Sequence, residues 1–156
     1  MHPRIRLVVL DVDGVLTDGR LYYGADGETL KVFHVRDGHG IKALLAAGID
    51  VAIISGRRSA ALERRARELG IHHVHQGIED KGPALAALLE TLKIPAVEAA
   101  CLVDDTPDLP MMAMVGVPVA VADAHPSVLN AARWVTRSAG GHGAVRELAD
   151  HLLGTL

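Results

Sequence analysis

The sequence predicts an α/β fold, a Rossmann-like doubly wound parallel sheet, and three observations carry that expectation. Short continuous runs of Val, Ile, Leu and Ala recur along the chain, as in parallel strands covered on both faces. Amphipathic stretches lie between them, with apolar residues at i, i+3 and i+4 as in helices. Three of the apolar runs end in an acidic or small polar turn, where open α/β sheets bind their ligands.

Taken in order, residues 5–10 read as a buried strand ending in the acidic turn Asp11-Val12-Asp13-Gly14. Residues 51–54 repeat the design and end in Ser55-Gly56-Arg57. Residues 99–103 do so again and end in Asp104-Asp105, and 117–121 form a fourth run. Helices are expected over 38–47, 58–69, 81–92, 107–115 and 143–153. Gly48 and Gly70 follow the first two, where a C-terminal stop belongs. Residues 20–35 break the alternation. Leu21-Tyr22-Tyr23 and Leu30-Lys31-Val32-Phe33 flank Gly24-Ala25-Asp26-Gly27, which reads as a β-hairpin with an Asp-Gly turn. With Tyr22 and Tyr23 adjacent, one must face outward. An isolated hairpin is only marginally stable, so this one is expected to pack on something. The expected organisation is one domain over 1–156, with the hairpin inserted after the first strand.

A chain of 156 residues buries roughly 70% of its unfolded surface and needs no covalent staples. Its hydrophobic fraction is 49% but its aromatic fraction only 3%, so the core must be aliphatic. The single cysteine, Cys101, excludes an internal disulfide framework and reads as a core residue inside a strand. A net charge of −3 gives no polycationic footprint for nucleic acid. No apolar run approaches the roughly 20 residues of a membrane span, and none resembles a signal peptide. The expectation is therefore a cytoplasmic protein without a nucleic-acid or membrane partner. A small anionic ligand needs only a local positive pocket.

Asp11, Ser55 and Asp104 stand at the ends of three separate expected strands. Two carboxylates two residues apart point the same way as a strand ends, so Asp11 is suited to attack phosphorus while Asp13 handles protons. The bland alternative is a solvated turn. Asp104, Asp105 and Asp108 form a second acidic cluster, and hard carboxylate oxygens select magnesium. Asp105 and Asp108 equally suit a helix N-terminus. Ser55 is expected to begin a helix whose amides cradle a phosphate. Lys81 sits at a helix start, where a cation is disfavoured unless an anion is near. Arg57 and Arg65, eight residues apart, are expected on one helical face at the entrance. His72, His73 and His75 lack the context of a zinc site.

These residues together resemble the haloacid dehalogenase superfamily, with Asp11-x-Asp13-Gly14, Ser55, Lys81 and Asp104-Asp105 matching its four motifs in order. The stretch 10–18, the hairpin, Val35-Arg36-Asp37-Gly38, Ile54-Ser55-Gly56-Arg57, Gln76-Gly77, 119–126 and Ala139-Gly140-Gly141 resemble its 3-deoxy-D-manno-octulosonate 8-phosphate phosphatases in particular. That resemblance implies a capless, magnesium-dependent phosphatase acting on a small-molecule sugar phosphate. It implies Asp11 as nucleophile and Asp13 as acid/base. Asp11, Asp104 and the backbone carbonyl of Asp13 would hold the metal, and Ser55 and Lys81 the phosphoryl group. His34, Val35, Arg36, Asp37, Gly38, Lys42, Arg57 and Arg65 match substrate-pocket positions. The hairpin would help form a homotetramer in which neighbouring subunits complete each active site.

Two positions depart from that pattern. Val103 stands where the family usually has Gly before the fourth-motif aspartates, and His142 where it commonly has Arg in Gly-Gly-Arg-Gly. Some members also carry a longer C-terminal tail, beyond the position matching Leu156, that closes over the neighbouring site. Three other readings stay open on the residues alone: a phosphatase for a nine-carbon sialic-type sugar acid, a receiver-like phospho-acceptor module, and a catalytically silent interaction subunit.

Overall fold

The computed structural model describes residues 4–154, and the outermost positions of the expected domain lie outside them. The chain runs β1 (Leu7–Leu10), β2 (Tyr22–Gly24), β3 (Gly27–Leu30), α1 (Val35–Ala46), β4 (Asp50–Ile54), α2 (Ala60–Leu69), β5 (His73–His75), α3 (Lys81–Leu92), β6 (Ala99–Val103), α4 (Leu109–Met112), β7 (Val117–Ala120), α5 (Pro126–Ala131), β8 (Trp134–Val135) and α6 (Ala144–Leu153). Six strands form a parallel sheet in the order β5-β4-β1-β6-β7-β8, while β2 and β3 make a separate antiparallel ribbon.

The sheet is doubly wound about β1. The chain moves outward to β4 and β5, returns to β6 on the other side of β1, and continues to β7 and β8. That reversal is the topological switch point where such sheets open a crevice. All four residues of β1 and all five of β6 are fully buried, because helices cover both faces. Helix α1 packs on α6 and on α2, and α4 packs on α3 and on α5. Leu10 pairs with Ile53 on one side and Leu102 on the other. The register therefore brings the strand ends carrying Asp11, Ser55 and Asp104 to one edge. Cys101 lies in the core, where burial pushes its thiol up to about 12. Among the described residues, no helix is long and apolar enough to cross a membrane.

Several boundaries differ from expectation for identifiable reasons. Helix α1 starts at Val35 instead of residue 38, because the His34 side chain accepts a hydrogen bond from the Arg36 amide and caps it. Helix α2 starts at Ala60 instead of 58, capped by Ser59, which accepts from Leu62 N. The expected helix 107–115 splits into a 3-10 turn, Thr106–Asp108, and the short α4. The hairpin turn is Ala25-Asp26, with Gly27 at φ +108° already in β3. The second ribbon strand therefore ends at Leu30, and residues 31–33 leave it. Strand β8 and helix α5 are too short for a periodic signal in the sequence.

Candidate active site

The turn after β1 is built so that two carboxylates can stand close to a third. Val12 O accepts from the amides of Val15, Leu16 and Thr17, folding the chain back on itself. Thr17 Oγ1 accepts from the amides of Gly14 and Gly19. Gly14 takes φ +87°, and a Cβ there would collide with the Asp104 carboxylate. Only glycine suits both the conformation and the approach. Gly140 and Gly141 press on the same turn, since side-chain atoms there would strike the backbones of Gly14 and Thr17. Gly140 N donates to Asp123 Oδ1 and Gly141 N to Val15 O, which seats this late loop on the acidic turn.

Within this frame Asp11 is buried, and its Oδ1 accepts from Val12 N at 2.8 Å. Lys81, the first residue of α3, lies 3.2 Å from Asp11 Oδ1 and 2.6 Å from Asp108 Oδ1. Carboxylate oxygens of Asp11, Asp104 and Asp108 all lie within 4.8 Å of one another, and the histidines of 72–75 form no such group among the described residues. Burial, then the charge of Asp108, raises Asp11 to about 6 even though Lys81 opposes the shift. Burial, then Asp11 and Asp108, raises Asp104 to about 8. Burial alone would lower Lys81, but Asp11 and Asp108 outweigh it and hold the ammonium above its ordinary value. The anions are thus under-neutralised by protein alone.

A hard divalent cation fits that excess of negative charge. Of the three carboxylates, Asp108 is already committed: Oδ1 accepts from Lys81 and Oδ2 from the amides of Asp104 and Asp105. It orients the lysine and the loop, leaving Asp11 and Asp104 for a metal. The side chain of Asp13 stands outside this cluster and pairs with Lys31 at 2.8 Å and Arg57 at 3.7 Å. The cleft that joins these groups has a volume of about 490 Å³ and is lined by Asp11, Asp13, Ser55, Arg57, Lys81 and Asp104 among others.

The remaining expected site residues divide into three groups. Ser55 lies in the cleft, but it does not begin α2. Its Oγ accepts from Arg57 N at 3.4 Å, and the helix is capped four residues later. The expected helix-terminal phosphate cradle is therefore a loop. Arg57 accordingly lies outside the helix that carries Arg65, so the two do not share a helical face; Arg65 lines a small apolar cavity with Phe33, His34 and Gly38. A Cβ on Gly38 would collide with the Arg65 guanidinium. Asp37 is 1% exposed, and its Oδ1 accepts from Arg146 N in the first turn of α6. It caps a helix that offers no cap of its own. Val35, Arg36 and Lys42 are exposed on α1, and none lines the Asp11 cleft. Two residues with clear roles carry no motif: Asp108, and Lys31 with its side chain only 4% exposed.

Comparison with known proteins agrees with this geometry. Residues 73–148 match the model of the haloacid dehalogenase-like hydrolases. The 3-deoxy-D-manno-octulosonate 8-phosphate phosphatase of Yersinia pestis is 54% identical over 149 residues, covering 96% of this chain and 80% of the relative. The cobalt-bound deoxy-D-mannose-octulosonate 8-phosphate phosphatase of Haemophilus influenzae superposes with a TM-score of 0.95 at 47% identity, over 97% of this chain and 88% of that one. The Moraxella catarrhalis phosphatase, solved with magnesium, phosphate and the octulosonate sugar, gives 0.93 at 41% identity, over 96% and 86%. Such similarity spans the whole strand-end site, and the chain belongs to the 3-deoxy-D-manno-octulosonate 8-phosphate phosphatase family of haloacid dehalogenase-like hydrolases.

Proposed function

We propose that this chain is a magnesium-dependent phosphatase that hydrolyses 3-deoxy-D-manno-octulosonate 8-phosphate to the free sugar acid and phosphate. The observation that carries the reading is the arrangement of buried Asp11 and Lys81 with half-buried Asp104 at the switch point. Family membership supplies the substrate.

Asp11 acts as the nucleophile. Its carboxylate attacks phosphorus as the bond to the C8 oxygen breaks, and Asp13 gives that oxygen a proton. Asp13, now a carboxylate, takes a proton from the water that attacks the phospho-aspartate, releasing phosphate and restoring Asp11. Lys81 and Ser55 hold the phosphoryl oxygens, with Asp108 fixing Lys81. Asp11, Asp104 and the main-chain carbonyl of Asp13 would hold the magnesium, which when bound would offset the negative charge of carboxylate and phosphate. A receiver-like module needs no acid/base two residues after its acceptor, so Asp13 argues against that reading.

The residues of 1–156 act as one phosphatase domain, and the enzyme works in the cytoplasm as a homotetramer. Seven large hydrophobic side chains are exposed among the described residues, and five of them, Leu21, Tyr23, Leu30, Val32 and Val35, fall between residues 21 and 35. Such a patch on a ribbon and the adjoining helix start supports burial against other subunits. On that reading His34, Val35, Arg36, Asp37, Gly38, Lys42, Arg57 and Arg65 stand at substrate-pocket positions. The test is phosphate release from the octulosonate 8-phosphate and from a nine-carbon sialic-type acid 9-phosphate, each with magnesium and with EDTA. Metal-dependent preference for the eight-carbon ester supports the proposal; preference for the nine-carbon ester transfers the activity to that substrate.

A further inference from the structure

We infer that Lys31 is a positioning residue for the Asp13 carboxylate, delivered to the active site by the segment that follows the hairpin. The inference rests on the acid/base reading of Asp13 given above. Residues 30–33, at and just beyond the end of the ribbon, place one charge on the side that faces the molecule. Leu30 and Val32 are 48% and 52% exposed, while the Lys31 side chain is 4% exposed and Phe33 packs on the core. Leu30 and Val32 face out while Lys31 faces in beside Asp13, so the inward Lys31 position serves a charged site.

The contacts of that charge close into a ring. Lys31 Nζ lies 2.8 Å from Asp13 Oδ1 and 3.1 Å from Glu28 Oε1. Glu28 Oε2 accepts from Arg57 Nη2 at 3.2 Å, and Arg57 Nε lies 3.7 Å from Asp13 Oδ2. Two cations and two anions alternate, and each oxygen of Asp13 has one cationic neighbour. The two restraints are unequal. Arg57 is 43% exposed and stands off at 3.7 Å, whereas Lys31 is buried at hydrogen-bond distance. A buried ammonium persists only where anions offset its desolvation. Of the four lysines, Lys42 and Lys93 are exposed. The two buried ones each hold one carboxylate of the first motif, Lys81 on Asp11 and Lys31 on Asp13.

Asp13 must address two partners in turn, the leaving oxygen and then the attacking water. A carboxylate free to swing toward solvent would meet each less often, and small displacements of a catalytic group are costly in rate. Lys31 exchanges no proton in this scheme. It donates hydrogen bonds that keep Asp13 in place during both transfers.

The test compares two esters in the full-length enzyme with magnesium: the octulosonate 8-phosphate, whose alkoxide needs a proton, and p-nitrophenyl phosphate, whose phenolate leaves without one. For Lys31→Met, kcat/KM on the sugar ester should fall about 10- to 100-fold with KM little changed. On p-nitrophenyl phosphate the fall should stay within about threefold, because that step does not use the acid. Lys31→Arg should recover most of the loss. Lys31→Gln, which keeps a donor of shorter reach, is read the same way in case the Met variant does not fold, and melting temperatures report folding of each. Equal losses on both esters, or no loss on either, overturn the inference. Asp13→Asn run alongside separates the two claims. If it keeps near-normal turnover of the sugar ester, the reading of Asp13 fails; if it is inactive while Lys31→Met is normal, only the role of Lys31 fails.

Discussion

Asp108 illustrates how one carboxylate can organise a site without holding its ligand. Its oxygens are shared among Lys81 and two backbone amides, so Asp108→Ala strips a buried ammonium of its nearest partner. Breaking a buried pair costs about 3–5 kcal/mol, and because Asp11 still faces Lys81 the expected loss is about 3 kcal/mol, measurable by urea denaturation. Turnover should drop with it. Asp13→Asn, which removes one of the two anions beside the buried Lys31, should lower stability somewhat and reduce phosphate release by about 10²- to 10⁴-fold, the usual worth of general acid–base catalysis; near-normal turnover would remove Asp13 from its role. The strand-end residues Asp11, Ser55, Lys81 and Asp104 were legible in the sequence because each follows an apolar run or opens a helix. Lys31 was not, and Asp108 was legible only as one of an acidic cluster or as a helix N-terminal residue, not as the partner of Lys81. Their positions carry ordinary surface chemistry, and only the fold reveals that both are buried beside opposite charge.

Among the elements, helices α1 and α6 are tied by Asp37. Gly143, the residue before α6, has no side chain with which to cap it, and Asp37 supplies the acceptor from α1. Its burial raises the carboxyl above its ordinary value although the α6 amides oppose the shift. Asp37→Ala is therefore expected to cost about 1–2 kcal/mol, as loss of a helix cap does, seen as a lower urea midpoint. The α1 face carrying Gly40 approaches Arg146 and Ala149 so closely that little room is left for adjustment. Strand alternation and helical periodicity made the doubly wound sheet readable, since long buried runs admit few other folds. They gave no account of α5 and β8, which are too short, nor of the loop between Ser55 and Ser59, where a competing cap delays the helix. The hairpin was readable but its turn lay one position early. On the tetramer proposal, Leu30→Glu with Val32→Glu should yield smaller particles by light scattering. An unchanged mass would remove the ribbon from the interface.

For the molecule as a whole, the cleft sets how stability depends on pH. Asp11 and Asp104 titrate near 6 and 8 in the metal-free fold, above the ordinary 3.8. Each raised pKa means the fold binds more protons than the unfolded chain between the two values. The sites' contribution is thus fully present below about 4 and is lost as pH rises through 6 and 8. Melting in EDTA should occur at lower temperature at pH 8.5 than at pH 5.5. Magnesium, which requires ionised ligands, should raise the melting temperature more at pH 8.5. A larger gain at pH 5.5 would exclude these carboxylates as its ligands. Topology, charge and chemistry meet at β1: the chain reverses direction across the sheet there, and the residue at its end lies beside Lys81 and close to the Asp104 and Asp108 carboxylates. The most direct test is to mix the enzyme with the octulosonate 8-phosphate and magnesium, quench in acid within a turnover, and map the peptides by mass spectrometry. The expected result is one transient phosphoryl group on the peptide bearing Asp11, absent in EDTA and chased away as phosphate appears. Steady release of phosphate with no phosphoryl group on that peptide, or with one on another residue, would contradict the account.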